Sequence, residues 1–124
     1  KKKFGRFVFF SSSAVEDTNA PITYSVSKAM LENYVEKSAR IFGKDNIFFN
    51  CIKTSIVIDK NNNWYKALKA NPNKVKKFIK DYTSVKKAGN SSDFVDFIKQ
   101  LISERNKFVN GSIIKIDGAT KFIK

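Results

Sequence analysis

Three short apolar runs, separated by long helical stretches, constrain the fold of this chain more than any other feature. Residues 6–10, Arg-Phe-Val-Phe-Phe, are aromatic and β-branched without alternation. That is the pattern of a strand buried on both faces, as in a parallel sheet. Residues 47–52 form a second such run, interrupted by Asn50, and residues 112–116 a third, opened by Gly111 and closed by Asp117-Gly118. Between the first two, residues 24–42 carry partial helical periodicity in Ala29, Met30, Tyr34, Ala39 and Ile41, with Gly43 as the stop. A loop over 54–63 follows the second run. Beyond it the sequence predicts two short basic helices, over 64–70 and 73–82, split by Pro72. After the turn at Gly89-Asn90, Ser91 or Ser92 can cap a helix over 93–104 with acids in its first turn. Strand, helix, strand, helices, strand: this alternation predicts an α/β layer fold with a parallel sheet and right-handed crossovers.

At 124 residues the chain is one domain on the usual length scale and large enough to bury a core without disulfides. The absence of histidine removes Ser-His and Cys-His nucleophiles, HExxH sites and two-His zinc fingers together. The single cysteine excludes an internal disulfide and agrees with a reducing, cytoplasmic setting. Cys51 reads as a small buried residue on a strand. No apolar run is long enough to span a bilayer. The chain has 24 Lys plus Arg against 11 Asp plus Glu, a net charge of +13. Such a balance invites a nucleic-acid reading. Only Arg6, Arg40 and Arg105 are arginines, however, and the lysines are scattered, with tight clusters only at Lys1–Lys3, 74–80 and 86–87. Base and phosphate readers lean on the arginine fork, so a lysine-rich solvated surface is the better account.

The chemistry concentrates in Tyr24-Ser25-Val26-Ser27-Lys28. Four residues apart on a helix, the tyrosine and lysine share a face. A nearby ammonium favours the phenolate, and a phenol so placed can act as general acid and base in a chain without histidine. Ser11, Ser12 and Ser13 end the first strand about a dozen residues earlier. A hydroxyl there can donate to a substrate oxygen while the tyrosine moves the proton. A Tyr and a Lys at this spacing also occur on ordinary solvated faces. The apolar strand and the serines before them are what give the pair weight.

Four segments in this order resemble the carboxyl-terminal half of a short-chain dehydrogenase/reductase. Gly5-Arg6-Phe7-Val8-Phe9-Phe10-Ser11-Ser12 looks like that family's strand leading to its serine, and Tyr24 to Ala29 matches its YxxxK motif. Asn50-Cys51-Ile52 resembles the asparagine-containing strand after the helix, and Val109 to Gly118 the closing strand with its Asp-Gly. The resemblance implies a Rossmann-like three-layer αβα fold, half of a doubly wound sheet, over residues 1–124, with a variable substrate-loop region at 54–88. It implies an NAD(P)-dependent oxidoreductase that moves a hydride between nicotinamide and a carbonyl/alcohol pair. Tyr24 would be the acid/base, Lys28 would support it and bind the nicotinamide ribose, and Ser12 would polarise the substrate oxygen. Counting back from Tyr24 allows Ser11, and Ser13 stays open. Thr54 and the backbone near Val57 would contact the nicotinamide.

Three departures accompany the resemblance. The Gly-rich cofactor-binding half that precedes these motifs in the family is not in this sequence, nor is any GxGxxG. The chain therefore reads as a fragment of a chain about twice as long. Lys53-Thr54-Ser55 stands where the family has a Pro-Gly turn after one residue, and Asp59 is an acid where a threonine is usual. The third departure is Gly118-Ala119 in place of Gly-Gly. The implied partners are a small carbonyl or alcohol, which the lysines of 66–80 suit if it is anionic, and further copies of the chain through the Tyr24 helix. No membrane is implied, and nucleic acid is disfavoured. The competing expectation is an inactive fragment, or an oligomerisation or interaction module of the same fold.

Overall fold

From Phe48 to Lys53 every residue is buried, and this strand is the middle of the sheet. The computed structural model describes residues 3–121; Lys1 and Lys2 of the amino-terminal basic cluster lie outside the described residues. Strand β1 is Gly5–Ser12, β2 is Ile47–Thr54 and β3 is Ile113–Ile116. They lie in the order β1-β2-β3 and both pairings are parallel, with Gly5 opposite Ile47 and Cys51 opposite Ile113. Helix α1, Ile22–Phe42, makes the first crossover. Helices α2 (Asn63–Ala70), α3 (Pro72–Tyr82) and α4 (Ser92–Ile102) make the second.

Strand parity sorts the core into two layers. Phe49 and Cys51 of β2 pack with Phe9 of β1 against Val35 and Ala39 of α1. Ile52, one residue out of phase, packs on the other side with Val8, Ile114, and Phe94 and Leu101 of α4. A third cluster lies beyond the sheet, where Ile56 meets Val75 and Ile79 of α3 with Trp64 at its border. Trp64 meets Phe78 at 5.4 Å with the rings tilted, which joins α2 to α3 within the 54–88 region. Asn50, the polar interruption in β2, is fully used. Its Nδ2 donates to Val109 O at 2.9 Å and its Oδ1 accepts from Ser112 N at 3.1 Å. The side chain thus ties β2 to the start of β3.

Two local expectations are corrected. β1 is not buried on both faces: it is the edge strand of this sheet, and Phe7 and Phe10 stay 47% and 44% exposed. Helix α1 does end at Phe42 with Gly43 as its cap, as expected. Gly43 keeps helical angles, a short 3-10 turn follows over Gly43–Asp45, and Asn46 at φ 60° makes the reversal. Neither Ser91 nor Ser92 caps α4 with its side chain. Asn90 does so, its Oδ1 accepting from Ser92 N at 2.9 Å, while Asp59 Oδ2 accepts from Ser91 N at 2.9 Å.

Candidate active site

Parallel pairing puts the carboxyl ends of β1 and β2 side by side, Ser11 opposite Lys53 and Ser12 opposite Thr54. The amino-terminal turns of α1 stand over this edge. Lys28 Nζ donates to Phe10 O at 2.8 Å, which seats the helix on β1. The same ammonium lies 5.7 Å from the centre of the Tyr24 ring. The Tyr24 phenol is 46% exposed, open to a substrate arriving from outside.

The three serines separate by environment. Ser11 is buried and its hydroxyl donates to Glu32 Oε1 at 2.5 Å. Ser13 is buried. Ser12 is half-buried and caps the 3-10 turn Ser13–Val15: its Oγ accepts from Ala14 N at 3.1 Å. That bond uses a lone pair, so the Ser12 hydroxyl proton remains available to an incoming oxygen.

Beneath these groups lies a cluster that sequence reasoning missed. Lys53 is 5% exposed and ends the inward row of β2. Its ammonium pairs with Glu32 of α1 at 3.1 Å and with Glu16 of the loop after β1 at 3.2 Å. Glu16 also takes Lys115 of β3 at 2.8 Å. Two cations and two anions balance. Burial pushes the Lys53 ammonium down, but hydrogen bonds to Glu32 and Glu16 outweigh it and leave it above its ordinary value. Hydrogen bonding to Lys115 leads in holding the Glu16 carboxyl below the usual carboxylate range, with Lys53 adding to it against a smaller cost of burial. The sequence signal was a lysine continuing an apolar strand, but its partners lie 21 and 37 residues away and only the fold brings them in.

The nicotinamide-side residues named from sequence lie farther along the same edge. Thr54 Oγ1 is 3.4 Å from Ser11 O. Val57 bridges to Gly89, and its carbonyl accepts from Asn62 Nδ2 at 2.8 Å. A cavity of about 160 Å³ opens here between Ser55, Val57, Gly89, Phe94 and Gly118. Ser12, Tyr24 and Lys28 are not among its lining residues. The six lysines 66, 69, 74, 76, 77 and 80 are all exposed and none lines this cavity. Burial raises the Cys51 thiol above its ordinary value, so this cysteine packs rather than reacts. Among the described residues no group of His, Cys, Asp and Glu could hold a metal ion. No helix among them is long and apolar enough to cross a membrane.

The family model described as enoyl-(acyl carrier protein) reductase matches residues 1–120. The chain belongs to the short-chain dehydrogenase/reductase family. Among solved structures, it superposes on the 3-oxoacyl (acyl-carrier-protein) reductase of Agrobacterium tumefaciens C58 with NADP bound, at TM-score 0.84 and 23% identity, over 93% of this chain and 44% of that one. A short-chain type dehydrogenase/reductase from Mycobacterium ulcerans gives TM-score 0.82 and 22% identity, over 94% and 42%. A 4-hydroxyisoleucine dehydrogenase complexed with NADH gives 0.76 and 26%, over 94% and 46%. The Rossmann-like αβα fold expected from the motifs is therefore the fold observed, and the chain spans less than half the length of these short-chain relatives. A search among curated proteins returns no match.

Proposed function

We propose that this chain forms the catalytic half of an NAD(P)-dependent short-chain oxidoreductase acting on a small carbonyl/alcohol pair. The observation that carries the reading is the arrangement at the carboxyl end of β1. Ser12 ends that strand with its proton free, and the first turns of α1 bring an exposed Tyr24 phenol and the Lys28 ammonium, bonded to Phe10 O, to the same strand.

The donor set suits the nicotinamide-ribose end of such a cofactor. Lys28 spends one N–H on Phe10 O and keeps two for ribose hydroxyls. Thr54 and the Val57 backbone lie on the same edge for the nicotinamide amide, with one lone pair of the Val57 carbonyl already taken by Asn62. Asp59 is turned to the start of α4, where its carboxylate accepts from Ser91 N, which reduces its reach toward a phosphate. When bound, the nicotinamide supplies or accepts the hydride. Ser12 donates to the substrate oxygen. Tyr24 gives its proton to that oxygen in reduction and takes it back in oxidation. Lys28 holds its ammonium 5.7 Å from the centre of the Tyr24 ring, where negative charge develops during transfer.

The supporting surface points to association. Ile22, Val26, Met30 and Tyr34 repeat every four residues along α1 and are all at least half exposed. A contiguous apolar stripe of this kind is ordinarily covered, and we assign it to self-association through α1. The test of function is oxidation of NADH or NADPH by the intact protein, offered simple ketones and a 3-oxoacyl thioester. Turnover that falls about a hundredfold or more in Ser12→Ala supports the reading. Absence of nucleotide binding in a native mass spectrum would overturn it and leave a non-catalytic module of the same fold.

A further inference from the structure

The Lys53 cluster has a geometry that bears on Ser12 although the Lys53 ammonium itself is buried. The turn that Ser12 caps runs through Ser13–Val15 and closes at Glu16, whose N–H returns to Ser13 O at 2.9 Å. Both ends of this turn are tied down. On the upstream side, Phe10 O takes Lys28 Nζ, and the Ser11 hydroxyl takes Glu32 Oε1 at 2.5 Å. On the downstream side, the Glu16 carboxylate is held by Lys53 at 3.2 Å and by Lys115 at 2.8 Å. Lys53 also bonds Glu32 Oε1, the same oxygen that accepts from Ser11. One buried ammonium therefore links β2 to α1 on one side and to the far end of the Ser12 turn on the other.

We infer that Lys53 is a positioning residue, which clamps the turn between Ser12 and Glu16 against α1 and so sets where the Ser12 hydroxyl stands relative to Tyr24 and Lys28. The inference rests on the catalytic reading of Ser12 given above. It also accounts for a charged residue in the buried row of β2. A leucine there would pack, but it would leave the largely shielded Glu32 carboxylate without its cation and Glu16 held from one side only. Arginine is the conservative replacement, since it keeps the charge and can span both carboxylates.

The test is a pair of mutant cycles in the intact protein, followed by NADPH oxidation with a 3-oxoacyl thioester. Lys53→Met is expected to lower kcat by about ten- to a hundredfold with KM little changed, because a displaced donor is lost from the transition state. In the Ser12→Ala background the same change should cost less than about threefold, since Lys53 acts through a hydroxyl no longer present. Lys53→Arg should restore most of the rate. Should Lys53→Met fail to fold, Glu16→Gln, at a partly exposed position, cuts the same link and should show the same dependence on Ser12. Equal losses of kcat in both backgrounds, or no loss, would overturn the inference. A readout independent of turnover separates this from the catalytic reading itself. Amide exchange at Ala14, whose N–H is the Ser12 cap bond, should quicken roughly tenfold in either variant while Cys51 stays protected. Unchanged exchange at Ala14 would also overturn it. Quickened exchange in a protein without turnover would sustain the clamp and reject only the role given to Ser12.

Discussion

Asn50, Ala119 and Glu16 show how single residues hold this architecture, each by a different physical term. Asn50 is buried with both ends of its amide bonded to the backbone before β3. Asn50→Leu would leave Ser112 N without its acceptor, at about 1–3 kcal/mol, and Val109 O with its bond from Asn106 Nδ2 alone. Urea denaturation should show that loss as a lower midpoint with an unchanged slope. Ala119 sits at φ 52°, a left-handed angle that a side chain disfavours. Ala119→Gly should raise stability by up to about 1 kcal/mol, the relief of strain slightly exceeding the added freedom of the unfolded chain. The Gly118-Ala119 departure read from sequence thus acquires a consequence. Glu16 is held as a carboxylate by Lys115 and Lys53, so its pKa is depressed in the fold. Its contribution is present above the ordinary carboxylate range and disappears as pH falls through the lowered value. Lys53 has the opposite sign: its raised pKa keeps its contribution until pH rises past the ordinary lysine range. Glu16→Gln should flatten the acid limb of the stability profile and leave the neutral plateau lower.

At the scale of elements, the sequence was most legible where one physical period dominated. Alternation of apolar runs and helices predicted the order of elements along the chain and the parallel sheet, and the segments fall within a few residues of their expected ends. Legibility failed where an outcome depends on what lies beside an element. Arg-Phe-Val-Phe-Phe reads as a run buried on both faces, whereas among the described residues β1 is an outer strand with Phe7 and Phe10 exposed, because burial belongs to neighbours and not to the run. Likewise Ser91, Ser92 and Asn90 are all competent caps, and only the backbone path decides for Asn90. Tyr24, Lys28 and Ser12 could be named because their spacing is local to one strand and one helix. Lys53 with Glu16, Glu32 and Lys115 could not, since the four come from four separate segments. The exposed stripe of α1 carries its own prediction. Met30→Glu, at a position 67% exposed, should leave the helix content unchanged by circular dichroism and lower the assembly mass in sedimentation. A mass unaffected by this change would remove α1 from the interface.

Among the described residues, three strands and four α-helices leave apolar side chains exposed along β1 and α1. An edge strand with exposed phenylalanines pairs with other chains unless covered. The 124 residues expressed alone should therefore sediment as a mixture of associated species, and a sharp monomer with cooperative unfolding would contradict that. The central claim concerns the phenol at the start of α1. Steady-state oxidation of NADPH or NADH by the intact protein, compared with its Tyr24→Phe variant, tests it most directly. The account predicts that removing this one hydroxyl lowers turnover by at least about a hundredfold while nucleotide binding and fold persist. Turnover within about twofold of the unaltered protein would show that Tyr24 does not move the proton, and the assignment of the site would fall.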